Sequence, residues 1–171
     1  MRVNISHRTW AFLVIATIVA VADQFTKFLV KSFIQLGGSW PETGIFRITH
    51  HRNTGAAFSL FPDSRILLSI ISSIGIMLLL YTALIFSRRF AFLRWKSSVV
   101  SLGLMLGGTV GNWIGRVFVG YVTDFISVWK WPNFNVADSS LVIGCILLAM
   151  NLFRSSEMER SSEPNSAADC R

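Results

Sequence analysis

Two aspartates, Asp124 and Asp138, lie 14 residues apart in the stretch YVTDFISVWKWPNFNVADSS, residues 121–140. Two carboxyl groups held close together do not easily ionise together, so one keeps a proton while the other remains a base. Such a pair can hydrolyse a peptide bond: the ionised member deprotonates water, and the protonated member binds the scissile carbonyl and later protonates the leaving amine. Asp138 alone is also typical of a helix N-cap, because Ser139, Ser140 and an apolar run follow it.

The elements that must position these aspartates are membrane helices. The chain has 171 residues, of which 52% are hydrophobic and 15% charged, and its mean hydropathy is +0.53, which is unusual for a soluble domain. A helix that crosses the hydrocarbon core needs about 20 apolar residues. Four segments meet or approach this length: about 9–30, 66–87, 97–116 and 139–153. We predict one integral membrane domain over residues 1–154 and a disordered cytoplasmic tail over residues 155–171, which hold four of the nine acids.

The distribution of basic residues predicts the orientation of the spans. Loop 87–97 contains four basic residues in 11 positions, whereas loop 31–65 spreads four over 35 positions. The denser loop is predicted to be cytoplasmic, which makes both termini cytoplasmic and places loops 31–65 and 117–138 at the outer face. The formal net charge of +7 is explained by basic residues that anchor the spans on anionic lipid. Nucleic-acid binding is not predicted, because the sequence has no basic stripe on a soluble face.

Both outer loops contain residues that favour β-strands. The segment GIFRITHHRNTGAAFSLF, residues 44–61, is rich in β-branched and aromatic residues and predicts a small β element on the membrane surface. FISVWKW, residues 125–131, is predicted to add a strand, with Trp129 and Trp131 at headgroup depth.

Two further patterns concern packing and charge. Asp23 and Lys27 are four residues apart and can pair on one face of the first helix, either within the functional site or as a structural ion pair with Lys27 snorkelling to the interface. In the third span, Gly107, Gly111 and Gly115 predict a ridge against which a neighbouring helix packs closely.

A polar row adjoins this ridge, because Gly108, Asn112, Arg116, Gly120 and Asp124 recur every four residues. On a helix these positions follow one another towards the outer surface. A charged side chain in a span costs roughly 2–3 kcal/mol, so a partner or a polar cavity is expected, although interhelical hydrogen bonds are an alternative.

Other chemistries have weaker support. Ser59 and His51 share a loop but lack a nucleophile elbow, and His50 and His51 lack metal-ligand spacing, so no metal or other cofactor is predicted. A non-catalytic membrane protein, such as a small transporter that uses intramembrane acids, is an alternative, but the uncharged second span argues against a polar pathway.

Five motifs together resemble the lipoprotein signal peptidases (signal peptidase II). They are DQFTK (23–27), NTGAAFS (53–59), GGTVGNWIGR (107–116), GYVTDF (120–125) and FNVADS (134–139), in the family's order. The resemblance implies an all-α membrane fold of four transmembrane helices with a small periplasmic β-cradle, in the bacterial inner membrane. It also implies cleavage of diacylglyceryl prolipoproteins before the lipidated cysteine, and sensitivity to globomycin-type inhibitors.

The resemblance also implies roles for individual residues. Asp124 and Asp138 fall on the catalytic dyad, and the supporting positions are Asp23, Lys27, Asn53, Asn112, Arg116 and Asn135. One position departs from the pattern, because Gly115 stands where the family usually has an aspartate before Arg116. The alternative is therefore a catalytically impaired relative that binds lipoprotein precursors.

Overall fold

A computed structural model of the protein describes residues 6–55 and 65–162, and these form four long helices and a small sheet. The helices are α1 (His7–Phe33), α2 (Arg65–Leu84), α3 (Lys96–Ile114) and α4 (Val136–Ser162), with two short 3-10 turns between α2 and α3. Each of the four is long and apolar enough to cross a membrane. The predicted set of four spans is confirmed.

Helix α4 is longer at both ends than the sequence predicted. It begins at Val136, three residues before the predicted start, and continues to Ser162, so residues 155–162 are helical instead of disordered. Adding a residue to an existing helix gains one hydrogen bond without a new nucleation cost, so a polar extension can follow the apolar span. Residues 163–171 of the predicted tail lie outside the described residues.

The polar row predicted along the third span is interrupted at Gly120. Helix α3 passes into a single π-helical turn, Gly115–Val119, which ends at Gly120 with φ +90°. Glycine adopts this left-handed conformation without a Cβ penalty, so the chain leaves the helix there. Asp124 therefore lies on a strand, and the expectation that it continues a helical row with Asn112 was wrong.

The predicted β element is a three-stranded antiparallel sheet in the order β1-β2-β3. Its strands are β1 (Ser39–Trp40), β2 (Phe46–Asn53) and β3 (Val122–Val128). Strand β3 begins and ends three residues earlier than predicted, and Trp129 and Trp131 follow it as exposed side chains. The β2–β3 register shifts between Ile48 and His51, and His51 then faces Asp124. The sheet thereby holds Asp124 beside the end of β2.

Helix α3 lies at the centre of the bundle and packs against the other three helices. A Cβ at Gly107 would lie 2.6 Å from the Ala16 carbonyl oxygen, and one at Gly111 would lie 2.6 Å from Asp23 Oδ2. The predicted ridge therefore packs on α1 at these two positions. Gly115 differs, because a Cβ there would lie 2.9 Å from the Tyr121 carbonyl oxygen. The small Gly115 therefore packs against the backbone that leads into β3, and not against a neighbouring helix.

Candidate functional site

Asp138 lies in the first turn of α4 and forms a reciprocal cap with Asn135. Asn135 Oδ1 accepts the Asp138 backbone N–H at 3.0 Å, and Asp138 Oδ2 accepts the Asn135 backbone N–H at 3.1 Å. Two otherwise unpaired donors of the helix terminus are satisfied in this way, as in a capping box. The N-cap is thus Asn135 and not Asp138, which corrects the simpler reading of the sequence. The cap fixes the Asp138 carboxylate at the end of the bundle.

Asp124 is buried on β3 and is held by two asparagine amides. Asn53 Nδ2 donates to its Oδ2 at 2.8 Å, and Asn135 Nδ2 donates to its Oδ1 at 2.7 Å. Asn53 is the last residue of β2, and Asn135 precedes α4. The sheet and the bundle therefore meet at this carboxylate, which is only 2% exposed.

Asn112 and Asn135 connect the two aspartates into one network. Asn112 Nδ2 donates to Asp138 Oδ1 at 2.7 Å, and Asn135 Nδ2 also lies 3.2 Å from Asn112 Oδ1. Asn135 thus binds Asp124 through its amide nitrogen and Asp138 through its amide oxygen. Asn135 therefore contacts both carboxylates, through its side-chain amide at Asp124 and through its backbone N–H at Asp138.

A buried ion pair lies beneath this network. Lys27 Nζ is 2.7 Å from Asp23 Oδ2 and donates to Asn112 Oδ1 at 2.9 Å. Lys27 is only 3% exposed, so it points into the bundle and does not snorkel to the interface as one reading of the sequence proposed. Asp23 Oδ1 accepts the Ala137 backbone N–H at 3.0 Å. A side chain of α1 therefore pairs one of the N–H groups that have no partner within the first turn of α4. A buried charge left without these partners would be strongly destabilising.

The environment of Asp124 favours its protonated form. The pKa of Asp124 is raised to about 6; burial, which penalises the charged carboxylate, is the largest cause, and the nearby Asp138 charge acts in the same direction. The amides of Asn53 and Asn135 oppose this increase in pKa because they stabilise the carboxylate. A carboxyl that titrates near neutral pH can donate a proton, or accept one, during catalysis.

Both aspartates line a cleft of about 980 Å³ at the sheet end of the bundle. Asn53, Asn112 and Arg116 contribute polar surface, whereas Leu141, Val142 and Ile143 of α4 contribute apolar surface. Val142 and Ile143 are 57% and 51% exposed, so this wall lies where lipid would contact the helix. A cleft of this size and composition can hold an extended peptide that enters from the membrane.

Arg116 lies in the π-helical turn at the wall of the cleft and interacts electrostatically with both aspartates. The neighbouring Gly115 lacks the acid that the family pattern has. The Tyr121 carbonyl occupies the adjacent space, so an aspartate would require the backbone to shift. The local backbone of this chain therefore suits glycine at position 115.

The structure also adds a residue that the sequence reasoning missed. Gln24 Nε2 donates to Asp23 Oδ2 at 3.0 Å and to the Gly111 carbonyl at 2.8 Å, which anchors α1 on α3. Its position inside the DQFTK motif was the available signal. His51 lies at the cleft, but Ser59 lies outside the described residues. Among residues 6–55 and 65–162, no group of three or more His, Cys, Asp or Glu side chains could hold a metal ion.

All eight residues singled out from the sequence come together at this end of the bundle. Asp124, Asp138, Asn53, Asn112 and Arg116 line the cleft, while Asn135, Lys27 and Asp23 connect to it through hydrogen bonds. Four membrane-crossing helices and a linked pair of aspartates in a lipid-facing cleft define the class of protein, a membrane-embedded aspartic peptidase.

Comparison with known proteins identifies the family. The family model for signal peptidase (SPase) II matches residues 15–154, and the chain belongs to this family. A lipoprotein signal peptidase of Dehalococcoides mccartyi is 41% identical over 158 residues, which cover 92% of this chain and 98% of that protein. A lipoprotein signal peptidase of Geobacillus kaustophilus is 39% identical, and the match covers 90% of this chain and 99% of that protein.

A solved structure supports the same conclusion about the fold. A bacterial membrane enzyme determined at 2.3 Å resolution by the in meso method has a TM-score of 0.78 and 32% sequence identity, covering 89% of this chain and 93% of that one. The protein is accordingly a multi-pass protein of the bacterial inner membrane, with four helices and a small antiparallel sheet.

Proposed function

We propose that this chain removes signal peptides from diacylglyceryl-modified prolipoproteins and cleaves immediately before the lipidated cysteine. The observation that carries this proposal is the linkage of Asp124 and Asp138 through Asn135 at one lipid-facing cleft. The relatives named lipoprotein signal peptidases, which match over almost their whole length, support the choice of substrate.

In this proposal Asp124 and Asp138 share one proton. The ionised member removes a proton from the attacking water, and the protonated member donates a hydrogen bond to the scissile carbonyl and then a proton to the leaving amine. The raised pKa of Asp124, about 6, brings its titration closer to neutral pH than that of an ordinary carboxyl. Because the two carboxyls interact, their titration belongs to the pair.

The other polar residues position this pair and the substrate. Asn53, Asn112 and Asn135 hold the carboxylate oxygens, and the Asp23–Lys27 ion pair fixes Asn112 and the first turn of α4. We assign Arg116 to substrate binding, because it lies at the cleft wall beside both aspartates. Globomycin-type inhibitors would occupy the same cleft.

The membrane geometry matches a lipid-anchored substrate. The exposed Val142 and Ile143 wall allows the acyl chains to remain in lipid while the peptide enters the cleft. We propose that the cleft faces the periplasm and that both termini are cytoplasmic, because the basic residues are densest in loop 87–97. Trp129 and Trp131, exposed beside the sheet, would then lie at headgroup depth.

A cleavage assay on one lipidated precursor tests the proposal. Asp124→Asn and Asp138→Asn should each lower the cleavage rate by at least about 10²–10⁴-fold, the range expected for loss of acid–base catalysis. Glu42→Gln is the matched control, because Glu42 is an exposed acid outside the cleft. Substantial turnover by either aspartate variant would disprove the assigned dyad. Precursor binding without product by the unaltered protein would support the impaired-relative alternative instead.

A further inference from the structure

Two arginines from different elements lie beside the Gly120–Tyr121 dipeptide. The guanidinium carbon of Arg52, at the end of β2, lies 4.6 Å from the centroid of the Tyr121 ring. Arg65 begins α2, and its Nη1 lies 2.8 Å from the position that a Cβ on Gly120 would occupy. Both arginines are exposed. Gly120 therefore admits one guanidinium, while Tyr121 supports the other through a cation–π contact.

These two cations have no carboxylate partner among residues 6–55 and 65–162. The ion pair that these residues form within 4.0 Å joins Lys27 to Asp23, deeper in the bundle. Because both guanidinium groups lie beside the same dipeptide, one anion bound there would be attracted by both charges. Arginine also suits oxyanions better than lysine does, because its planar fork can donate two parallel hydrogen bonds to a phosphate.

The surroundings of the pair indicate the depth at which an anion would bind. Val117, Phe118 and Val119 of the π-helical turn are exposed, Phe118 by 74%, and they directly precede Gly120. Ile66, which follows Arg65, is 70% exposed. Exposed apolar side chains therefore adjoin the arginines where the helices end and the sheet begins. This boundary corresponds to the phosphate level of a bilayer leaflet.

We propose that Arg52 and Arg65 bind the phosphate of an anionic phospholipid headgroup in the leaflet on the sheet side of the membrane. The Tyr121 ring holds Arg52 in place, and Phe118 contacts the acyl chains of the same lipid. Arg52 also lines the catalytic cleft, so the bound lipid stands beside its entrance. The proposal concerns lipid binding and does not depend on the peptidase activity.

Native mass spectrometry of the full chain in an uncharged detergent tests this site. The probes are dioleoylphosphatidylglycerol, dioleoylphosphatidylcholine and inorganic phosphate, each titrated separately. Arg52→Gln and Arg65→Gln should each weaken the tightest phosphatidylglycerol binding step about fivefold, the effect of one basic residue near an anionic surface. The double variant should lose less than the product of the two effects, because both side chains contact one phosphate. Arg94→Gln, an exposed arginine between α2 and α3, is the matched control.

Each alternative outcome is distinguishable. Equal losses for phosphatidylcholine and phosphatidylglycerol, or an equal loss in Arg94→Gln, would overturn the proposal. Binding of inorganic phosphate as tight as that of the lipid would show that the site takes free phosphate. If Arg52→Gln fails to fold, Arg52→Lys provides the test, because it keeps the charge but loses the forked hydrogen bonds and should bind with intermediate affinity. Unchanged affinity in Arg52→Lys would argue against bidentate phosphate binding.

Discussion

Substitution of Asn135 separates the two tasks that this side chain performs. Its Oδ1 caps α4 by accepting the Asp138 N–H, and its Nδ2 donates to Asp124 at 2.7 Å. Asn135→Ser preserves the cap, since serine and asparagine are comparable N-caps, but a hydroxyl on a shorter side chain does not replace the amide at Asp124. Asn135→Ala removes both interactions. The two variants therefore form a matched pair.

The structure sets the expected magnitudes. Loss of the hydrogen bond to the Asp124 carboxyl should cost about 1.5–3 kcal/mol in Asn135→Ser, and loss of the cap should cost about 1 kcal/mol more in Asn135→Ala. For a chain of this length, 1 kcal/mol corresponds to roughly 2–4 °C in Tm. Thermal unfolding in detergent should therefore place Asn135→Ser about 3–12 °C below the unaltered protein, with Asn135→Ala roughly 2–4 °C lower again.

The pH dependence of cleavage provides the second measurement. The Asn135 amide stabilises the Asp124 carboxylate, so its removal should raise the pKa of Asp124 above about 6. A loss of about 1.4 kcal/mol corresponds to one pKa unit. In Asn135→Ser the midpoints of the cleavage rate against pH should therefore move by about one unit to higher pH. Equal Tm values for the two variants, together with unchanged midpoints, would refute the assignment of both tasks to Asn135.

Three further predictions concern the charges and packing around the site. Because its pKa of about 6 exceeds the ordinary 3.8, Asp124 stabilises the fold below about pH 4, and up to about 3 kcal/mol of this stability is lost as pH rises through 6. Asp124→Asn should reduce this pH dependence of the free energy of unfolding, and an unchanged dependence would contradict the assignment. Gly115→Asp should lower Tm through a cost of about 1–3 kcal/mol, because the new Cβ meets the Tyr121 carbonyl, and an unchanged Tm would contradict this contact. Asp23→Asn should cost about 3–5 kcal/mol by leaving Lys27 buried without its counter-charge, and the added change Lys27→Gln should recover part of the loss; additive losses would argue against the pair.

The membrane fold and the residue types of the site are predictable from the amino-acid sequence. Four apolar segments of sufficient length specify four spanning helices, because the hydrocarbon core requires every backbone polar group to be paired within the segment. The β-branched and aromatic residues of loop 44–61 also indicated a strand, since such side chains suit a pleated surface. Asp124 and Asp138 were identifiable because acids are rare in so apolar a chain.

The arrangement of those residues depends on contacts between elements that the sequence pattern does not specify. Spacing of four suggested that Asp124 continues the row of Asn112 and Arg116, but the left-handed Gly120 ends the helix and a strand carries Asp124 instead. Likewise, Lys27 could snorkel or turn inward, and the buried Asp23 together with Asn112 of the neighbouring helix holds it in the inward conformation. Sequence periodicity reports which face of one element a residue occupies. The partner of a buried polar group is set by contacts between elements, which lie far apart along the chain.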